Sequence, residues 1–243
     1  MERYYYDLHV HSCLSPCGDD DSTPNNIAGM ASLCELDIVA LTDHNTCKNC
    51  PAFFAAASNY GIIPVAGMEL TTSEDIHVVC LFRCLEDAMK FDGVIDSHRI
   101  LIKNKPRIFG EQIIMDAEDN PIGMDEHLLT NATDISIENV FEIVNKCGGI
   151  CFPAHIDKPS NSVTAILGTL PSSLPFTAFE LHSADAESKY RSEHDLSGKR
   201  AVISSDAHYL TDLHDRENYV LLDAPRDDHD AVRKALLDYL GGE

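Results

Sequence analysis

Three features of the sequence predict an α/β protein whose parallel strands are covered by helices. Strand-like and helix-like stretches alternate over most of the chain. The strand-like stretches are short and apolar, as parallel strands buried on both faces are. Many of them run directly into His, Asp or Glu, and in a closed barrel or an open α/β sheet the strand tips that carry chemistry meet on one side.

The first strand begins in Tyr4-Tyr5-Tyr6 and continues into Asp7-Leu8-His9-Val10-His11-Ser12. Strand side chains alternate, so His9 and His11 share a face and supply half of a tetrahedral metal site. A pair of partly exposed strand histidines would give the same pattern, so their partners decide. Ser12 to Asp21 is a loop by composition, and it carries Asp19, Asp20 and Asp21 in a row. These carboxylates suit either a solvated turn or the source of one ligand. Thr23 as cap and Pro24 at the first helical position open a helix to about Glu35, with Ile27, Met30, Ala31 and Cys34 on one face.

Asp37 to Leu41 is the next strand and ends in Thr42-Asp43-His44-Asn45. Cys47 and Cys50 have zinc or redox spacing, but no second such pair completes a four-cysteine site, so a packed or surface loop is expected. Pro51 to Tyr60 is helical and Gly61 fits its C-cap. Ile62 to Glu69 is a strand, and a buried strand that ends on a carboxylate needs a partner for it. Asp75 to Phe82 is a further strand with His77 near its start, where a hydrogen-bonded core histidine is the plainer reading.

Leu85 to Ile102 reads as helix, Lys103 to Arg107 is the one concentrated basic patch, and Asp116 to Asp125 is a surface turn or hairpin. We expect a single domain, 1–243, with an insertion at about 85–135 over the active face. Regular alternation then resumes. Ser136 to Cys147 is a helix, Ile150 to His155 a strand ending on His, and Ser160 to Leu167 a helix. Phe176 to Leu181 is a strand, Asp185 to Leu196 helical, and Ala201 to Ser205 a strand that runs into Asp206-Ala207-His208. Tyr219 to Leu222 and Asp228 to Leu240 form the last strand and helix, while His182 and His194 have no clear partner.

The formal charge of −22 argues against a broad duplex-nucleic-acid footprint, so a small phosphorylated substrate is expected and no extended duplex. Bound cations would reverse the field locally. No run of about eighteen apolar residues appears, so no membrane partner is expected, and with no signal peptide visible the default location is cytoplasmic. Nine cysteines without a secretory signal argue for reduced thiols.

The strand-tip residues are His9, His11, His44, Glu69, His155, Asp206 and His208, with His77 nearby. They exceed what one zinc uses, and nitrogen and oxygen donors around a central carboxylate suit two or three Zn, Mn or Fe ions. Asp43 and Asp7 could orient imidazoles from behind. Lys103, Lys105, Arg107 and Lys158 are candidate phosphate clamps, Arg107 offering the bidentate fork.

Asp7–Ser12, Thr42–Asn45, Gly67–Glu69 with Ile76–Val78, Ala154-His155 and Ser205–Tyr209 together resemble the motifs of the polymerase and histidinol phosphatase (PHP) family, over residues 1 to about 223. The resemblance implies a distorted (β/α)7 TIM-like barrel with a trinuclear metal site at the C-terminal rim of the strands. It places His9, His11, Glu69 and Asp206 on one divalent ion and Glu69, His77 and His155 on a second. His44 and His208 would hold a third with a loop ligand. That loop departs from the usual family pattern, and Asp20 is favoured there over Cys17 and Asp19. The implied reaction is metal-dependent phosphoester hydrolysis by activated water, on a small metabolite, a nucleotide or an oligonucleotide end. Asp43 and Arg107 are the assisting residues. The alternatives are a non-catalytic metal-binding regulatory barrel and an amidohydrolase-like C–N hydrolase; the latter calls for a strand-tip lysine that bridges two metals, and none is visible.

Overall fold

The computed structural model describes residues 1–242. In chain order the elements are β1 (Glu2–Val10), α1 (Pro24–Leu33), β2 (Ile38–Leu41), α2 (Cys50–Ala57), β3 (Ile63–Thr71), β4 (His77–Phe82), α3 (Leu85–Asp96), α4 (Pro106–Phe109), β5 (Ile113–Met115), β6 (Pro121–Met124), α5 (Ile137–Lys146), β7 (Gly149–Pro153), α6 (Val163–Leu167), β8 (Ala178–Leu181), α7 (Glu187–Glu193), β9 (Arg200–Ile203), β10 (Tyr219–Leu222) and α8 (His229–Gly241).

The main sheet has the order β10-β1-β2-β3-β4-β7 and curls into a half-barrel, and β8 and β9 form a separate parallel pair. Two backbone bonds tie that pair to the sheet edges: Ile156 N donates to Glu180 O and His11 N to Ala207 O, both at 2.9 Å. β1, β2 and β3 are parallel, but β4 runs antiparallel to both neighbours and β10 antiparallel to β1. The expectation of an all-parallel sheet is thus corrected. The connection 72–76 between β3 and β4 is far shorter than the dozen or so residues that a parallel crossover needs. The reversal has a consequence for the site: the start of β4, with His77 opposite Thr71, lies at the same rim as the end of β3.

Alternation along each strand sorts side chains between two cores. Tyr4, Tyr6, Leu8, Ile38, Ala40, Val79, Phe152 and Ala178 pack inside the curl with Val232, Leu236 and Leu240 of α8. Val10, Val39, Leu41, Met68, Leu70, Val78, Phe179 and Leu181 face outward onto residues of the surrounding helices such as Ile27, Phe53, Phe91 and Val140. Glu69, between Met68 and Leu70, therefore points inward, as does Glu180 between Phe179 and Leu181. In β1 the register with β2 slips between Asp7 and Val10. That irregularity re-aims the strand, so that Leu8 and the pair flanking Val10, His9 and His11, share the inner side. Gly67 allows the close passage beside β4: a Cβ there would meet Cys80 O and Thr42 Cγ2 at 2.8 Å.

α3 stops at Asp96, where the sequence predicts helix to Ile102, and its Ala88, Phe91 and Ile95 belong to the helix-covered core. The irregular stretch therefore starts after α3 rather than at Leu85. It consists of α4 and the β5–β6 hairpin, and it is latched to the rim. Ile113 N donates to Cys13 O at 3.1 Å, Met115 N to Asn49 Oδ1 at 2.9 Å, and Asn45 Nδ2 to Leu129 O at 2.7 Å. All nine cysteines are free thiols, and Cys47 and Cys50 are packed in the core behind β3. Among the described residues no helix is long and apolar enough to cross a membrane.

Candidate metal centre

Glu69 stands at the middle of the rim. Its Oε1 lies 2.7 Å from His77 Nδ1, 3.0 Å from His155 Nε2 and 3.4 Å from His9 Nε2. Its Oε2 lies 2.9 Å from His44 Nδ1 and 3.2 Å from His11 Nε2. Asp206 Oδ1 approaches His11 Nε2 at 3.1 Å and His9 Nε2 at 3.3 Å. Three overlapping donor groups result: His9, His11, Glu69 and Asp206; His44, Glu69 and His77; and His11, His44 and His208. In each, the donor atoms fall within 4.8 Å of one another.

The donor set fits divalent cations. Glu69 Oε2 and His44 Nδ1 are buried and lack a hydrogen-bonded partner, and a cation between them would satisfy both. Imidazole and carboxylate donors suit Zn, Mn or Fe. The charges point the same way. Burial raises the Glu69 carboxyl, but the facing His77, His9 and His44 outweigh it and hold it well below the usual range. Burial likewise raises Asp206, and His9 and His11 reverse the effect. Burial lowers His9, yet Glu180, Asp206 and Glu69 outweigh it and keep it well above an ordinary imidazole, so with no cation bound a proton answers the surplus of negative charge that a metal ion would otherwise answer. His44 is pulled down to about 4 and His208 to about 3, by burial first and then by the neighbouring His11, so both present neutral, ligand-ready rings.

The backbone is strained where the strands end. His155 has φ 26° and Asp206 φ 53°, left-handed values that cost of order 1–3 kcal/mol each outside glycine. By strand alternation His155 should face away from Ala154; the left-handed turn brings it back inside. The side chain that holds this geometry is Glu180, which the sequence reading passed over. Its Oε2 accepts from His9 Nδ1 and from His155 N, each at 2.9 Å, so one buried carboxylate orients candidate ligands from two strands. The signal was present: Glu180 interrupts an apolar strand, as Glu69 does. Glu180→Gln is expected to lower turnover or metal affinity about 10–100-fold with the fold intact, the usual cost of losing a ligand-orienting partner. Titration with Mn²⁺ by calorimetry checks this, and unchanged affinity together with unchanged turnover would remove Glu180 from the site.

Asp43 does not border the pocket. It accepts from Ser12 N, Ser12 Oγ and Ser15 Oγ, all at 2.7 Å, and Ser15 Oγ meets His11 Nδ1 at 2.9 Å. Its place is behind His11, one hydroxyl away, which suits positioning rather than contact with substrate. Asp7 is also buried and accepts backbone N–H groups from Ser205 and His214, stitching the strand tips together without touching an imidazole ring. Asp20 is exposed, and none of Cys17, Asp19 and Asp20 joins a donor group; His11 occupies the third place beside His44 and His208. Cys17 is exposed, yet close enough to feel the centre: the crowding of protein around its thiol pushes it up to about 12, with Glu69 and Asp206 adding to the rise. His182 and His194 lie outside all three groups.

A pocket of about 140 Å³ opens onto the cluster, lined by His44, Glu69, His77, His155, Lys158, Ser160, Asn161, Asp206 and His208. Lys158 is the cation that reaches it, with Nζ 2.6 Å from Asp206 Oδ2. Arg107, expected as the clamp, is absent from that wall. It sits on α4, none of whose residues is buried.

Residues 7–164 match the PHP domain family. The chain is a member of that family. No curated protein matches the chain. Among solved structures, two of endonuclease Q are similar. The Pyrococcus furiosus enzyme, a lesion-specific endonuclease, has TM-score 0.64 at 15% identity, covering 99% of this chain and 56% of the other. A complex with a 27-mer duplex carrying an abasic lesion at the active site has TM-score 0.61 at 16% identity, covering 96% and 57%. This PHP chain thus spans little more than half the length of endonuclease Q. A Bifidobacterium adolescentis protein assigned as a metal-dependent phosphoesterase has TM-score 0.58 at 16% identity, covering 95% of both chains. A Chromobacterium violaceum amidohydrolase with bound sulfate has TM-score 0.57 at 20% identity, covering 94% and 96%. At such identities the likeness is one of fold. The PHP fold and its donor clusters support a metal-dependent hydrolase.

The expectation of a small phosphorylated partner and no extended duplex is withdrawn, because endonuclease Q carries this fold and engages a duplex. Net charge acts at long range and is screened, whereas binding is decided by the local field at the mouth of the site.

Proposed function

We propose that this PHP protein hydrolyses phosphate esters at a centre of three divalent ions, Zn, Mn or Fe. One observation carries the reading: a single buried carboxylate, Glu69, meets five imidazoles drawn from four segments of the chain. No protein group needs that many bases around one acid for structure alone. His9, His11, Glu69 and Asp206 would hold one ion; Glu69, His77 and His155 a second; His44 and His208 a third, with His11 or a residue of the Cys17–Asp20 loop completing it. When bound, such ions lower the pKa of a water and neutralise charge on phosphoryl oxygens. The chain's own groups do the rest. Lys158 meets an anionic ester at the pocket wall, Glu180 and Ser15 hold the His9 and His11 rings in place, and the strained turns at His155 and Asp206 keep donors converged. The seven strands β1, β2, β3, β4, β7, β8 and β9 would form the distorted barrel, and the whole chain one domain with the stretch after α3 as its insertion.

Metal analysis, followed by a panel of phosphomonoesters, phosphodiesters and a cyclic amide with and without Mn²⁺, tests the reading. Phosphoester turnover that is lost on chelation and restored by metal is expected. Turnover of the amide alone would transfer the site to C–N hydrolysis, and metal binding without turnover would leave the regulatory barrel. His9→Ala is expected to abolish phosphoester turnover while circular dichroism stays unchanged.

A further inference from the structure

Asn49 stands directly before α2, where asparagine is among the preferred helix caps, yet its side chain makes no bond to the helix. Its backbone, at φ −90° and ψ −6°, is outside the extended conformation that capping needs. The side chain is fully buried and engaged elsewhere. Its Nδ2 donates to Ser12 Oγ at 2.9 Å and to Ile113 O at 3.1 Å, and its Oδ1 accepts from Met115 N at 2.9 Å. The Met115 N–H can only donate, which fixes the amide: oxygen toward Met115, nitrogen toward Ser12 and Ile113. A cap is usually worth about 1 kcal/mol, so a local preference is overruled here by contacts to β5 and to the loop after β1.

With Asp43 ionised, every proton between Asn49 and the metal centre has one place to go. Ser12 Oγ already accepts from Asn49 Nδ2 and from Leu14 N, so its own proton goes to Asp43 Oδ2 at 2.7 Å. Asp43 Oδ1 accepts from Ser12 N and from Ser15 Oγ, both at 2.7 Å. Ser15 Oγ has then given up its proton. It accepts from His44 N at 3.2 Å and must also accept from His11 Nδ1 at 2.9 Å. His11 therefore carries a hydrogen on Nδ1. Its Nε2, 3.2 Å from Glu69 and 3.1 Å from Asp206, is the nitrogen left to offer a lone pair to a cation. Asn49, Ser12, Asp43, Ser15 and His11 are all buried, so water offers none of them a substitute partner.

Of these five residues, Asn49 is the one bonded to β5. We propose that Asn49 is a positioning residue that couples the seating of β5 to the metal affinity of His11, through Ser12, Asp43 and Ser15. With β5 seated, the relay is saturated and the His11 ring is held ready. With β5 lifted, Asn49 loses two of its three bonds, and Ser12 and Asp43 are free to reorder. The coupling is reciprocal: an ion on His11 protects β5 by the same factor by which the seating of β5 tightens the ion. The inference rests on the metal-centre reading and goes beyond it, because it gives the stretch after α3 a part in holding the ion.

Calorimetric titration with Mn²⁺, and hydrogen exchange over β5 with and without Mn²⁺, test the proposal without any substrate. Asn49→Ala should weaken Mn²⁺ binding about tenfold, the lower end of the usual cost of losing an outer partner. Mn²⁺ should slow β5 exchange about tenfold in the wild type and leave it unchanged in the variant. Ser12→Ala cuts the relay but leaves Asn49 both bonds to β5. It should weaken Mn²⁺ binding and remove the metal-dependent protection, while metal-free exchange of β5 stays as in the wild type. That variant also carries the test if circular dichroism shows Asn49→Ala unfolded. Asn49→Ala and Ser15→Ala combined should bind Mn²⁺ no more weakly than Ser15→Ala alone, because both break one relay. Faster β5 exchange in Asn49→Ala with wild-type Mn²⁺ affinity would make the residue merely structural and overturn the proposal, as would losses that multiply in the double variant. Either result, with Mn²⁺ bound by the wild type, leaves the metal-centre reading standing. A wild type that binds no Mn²⁺ would overturn both.

Discussion

Glu69→Gln should reduce phosphoester turnover by roughly 10³-fold or more, equivalent to about 4 kcal/mol of lost stabilisation, and should lower metal content with it. The substitution keeps the shape and removes the charge. Glu69 belongs to two of the three donor groups, so its loss weakens two sites at once. The amide also brings an N–H donor to imidazole nitrogens that must present lone pairs to a cation. Elemental analysis of metal per chain and turnover with excess Mn²⁺ are the two readouts. A variant that retains its metal and its rate would show that the five imidazoles gather for another reason. Alternation places Glu69 between two outward-facing apolar residues, so the change should not disturb the helix-covered core.

Asp125→Ala should destabilise the stretch after α3 by about 1.5–3 kcal/mol, the usual worth of hydrogen bonds to a charged group. Arg99 donates to both Asp125 oxygens at 2.8 and 2.9 Å, Lys48 Nζ adds a third contact at 3.0 Å, and the Arg99 and Asp125 side chains are 7% and 6% exposed. Removing the carboxylate leaves the two cations with Asp96 alone, 3.2 Å from Arg99 and 3.6 Å from Lys48 and about half exposed, and takes away the contacts that tie them to the hairpin. Hydrogen exchange should show faster exchange over residues 99–131, and thermal unfolding should fall by roughly 2–4 °C for each kcal/mol that is global. Burial raises the Asp125 carboxyl, but Arg99 and the His127 N–H more than reverse it and hold it well below the ordinary range. A depressed folded-state value means that the stabilisation is complete above the unfolded carboxyl pKa of about 3.9 and is lost as pH falls below it. Protection of this stretch should therefore decline in acid in the wild type and show less acid dependence in Asp125→Asn. Equal protection at neutral pH in wild type and variant would mean that the ion pair is not what holds the stretch down.

Much of the centre was legible because its residues sit where apolar strands stop. His9, His11, His44, Glu69, His155, Asp206 and His208 were all read from that rule, and the structure gathers them. His77 was harder, because a strand start lies at the wrong end of a parallel sheet; only the reversal of β4 brings it to the rim. Glu180 followed from the same reasoning as Glu69, but it sits inside its strand rather than at the tip and was missed. Arg107 was chosen for its chemistry, yet nothing in a chain of letters says which way a four-residue helix faces, whereas Lys158 is carried to the pocket by the loop after His155.

The sequence by itself determined the family, the alternation of strands and helices, and most of the candidate donor side chains, because periodicity and residue chemistry are local properties. Only the tertiary structure decided which donors share an ion-sized space, which carboxylates stand behind the imidazoles, and where the basic stretch lies. Those depend on strand direction, a register slip in β1 and left-handed turns at His155 and Asp206, and these are set by contacts between residues far apart in the chain.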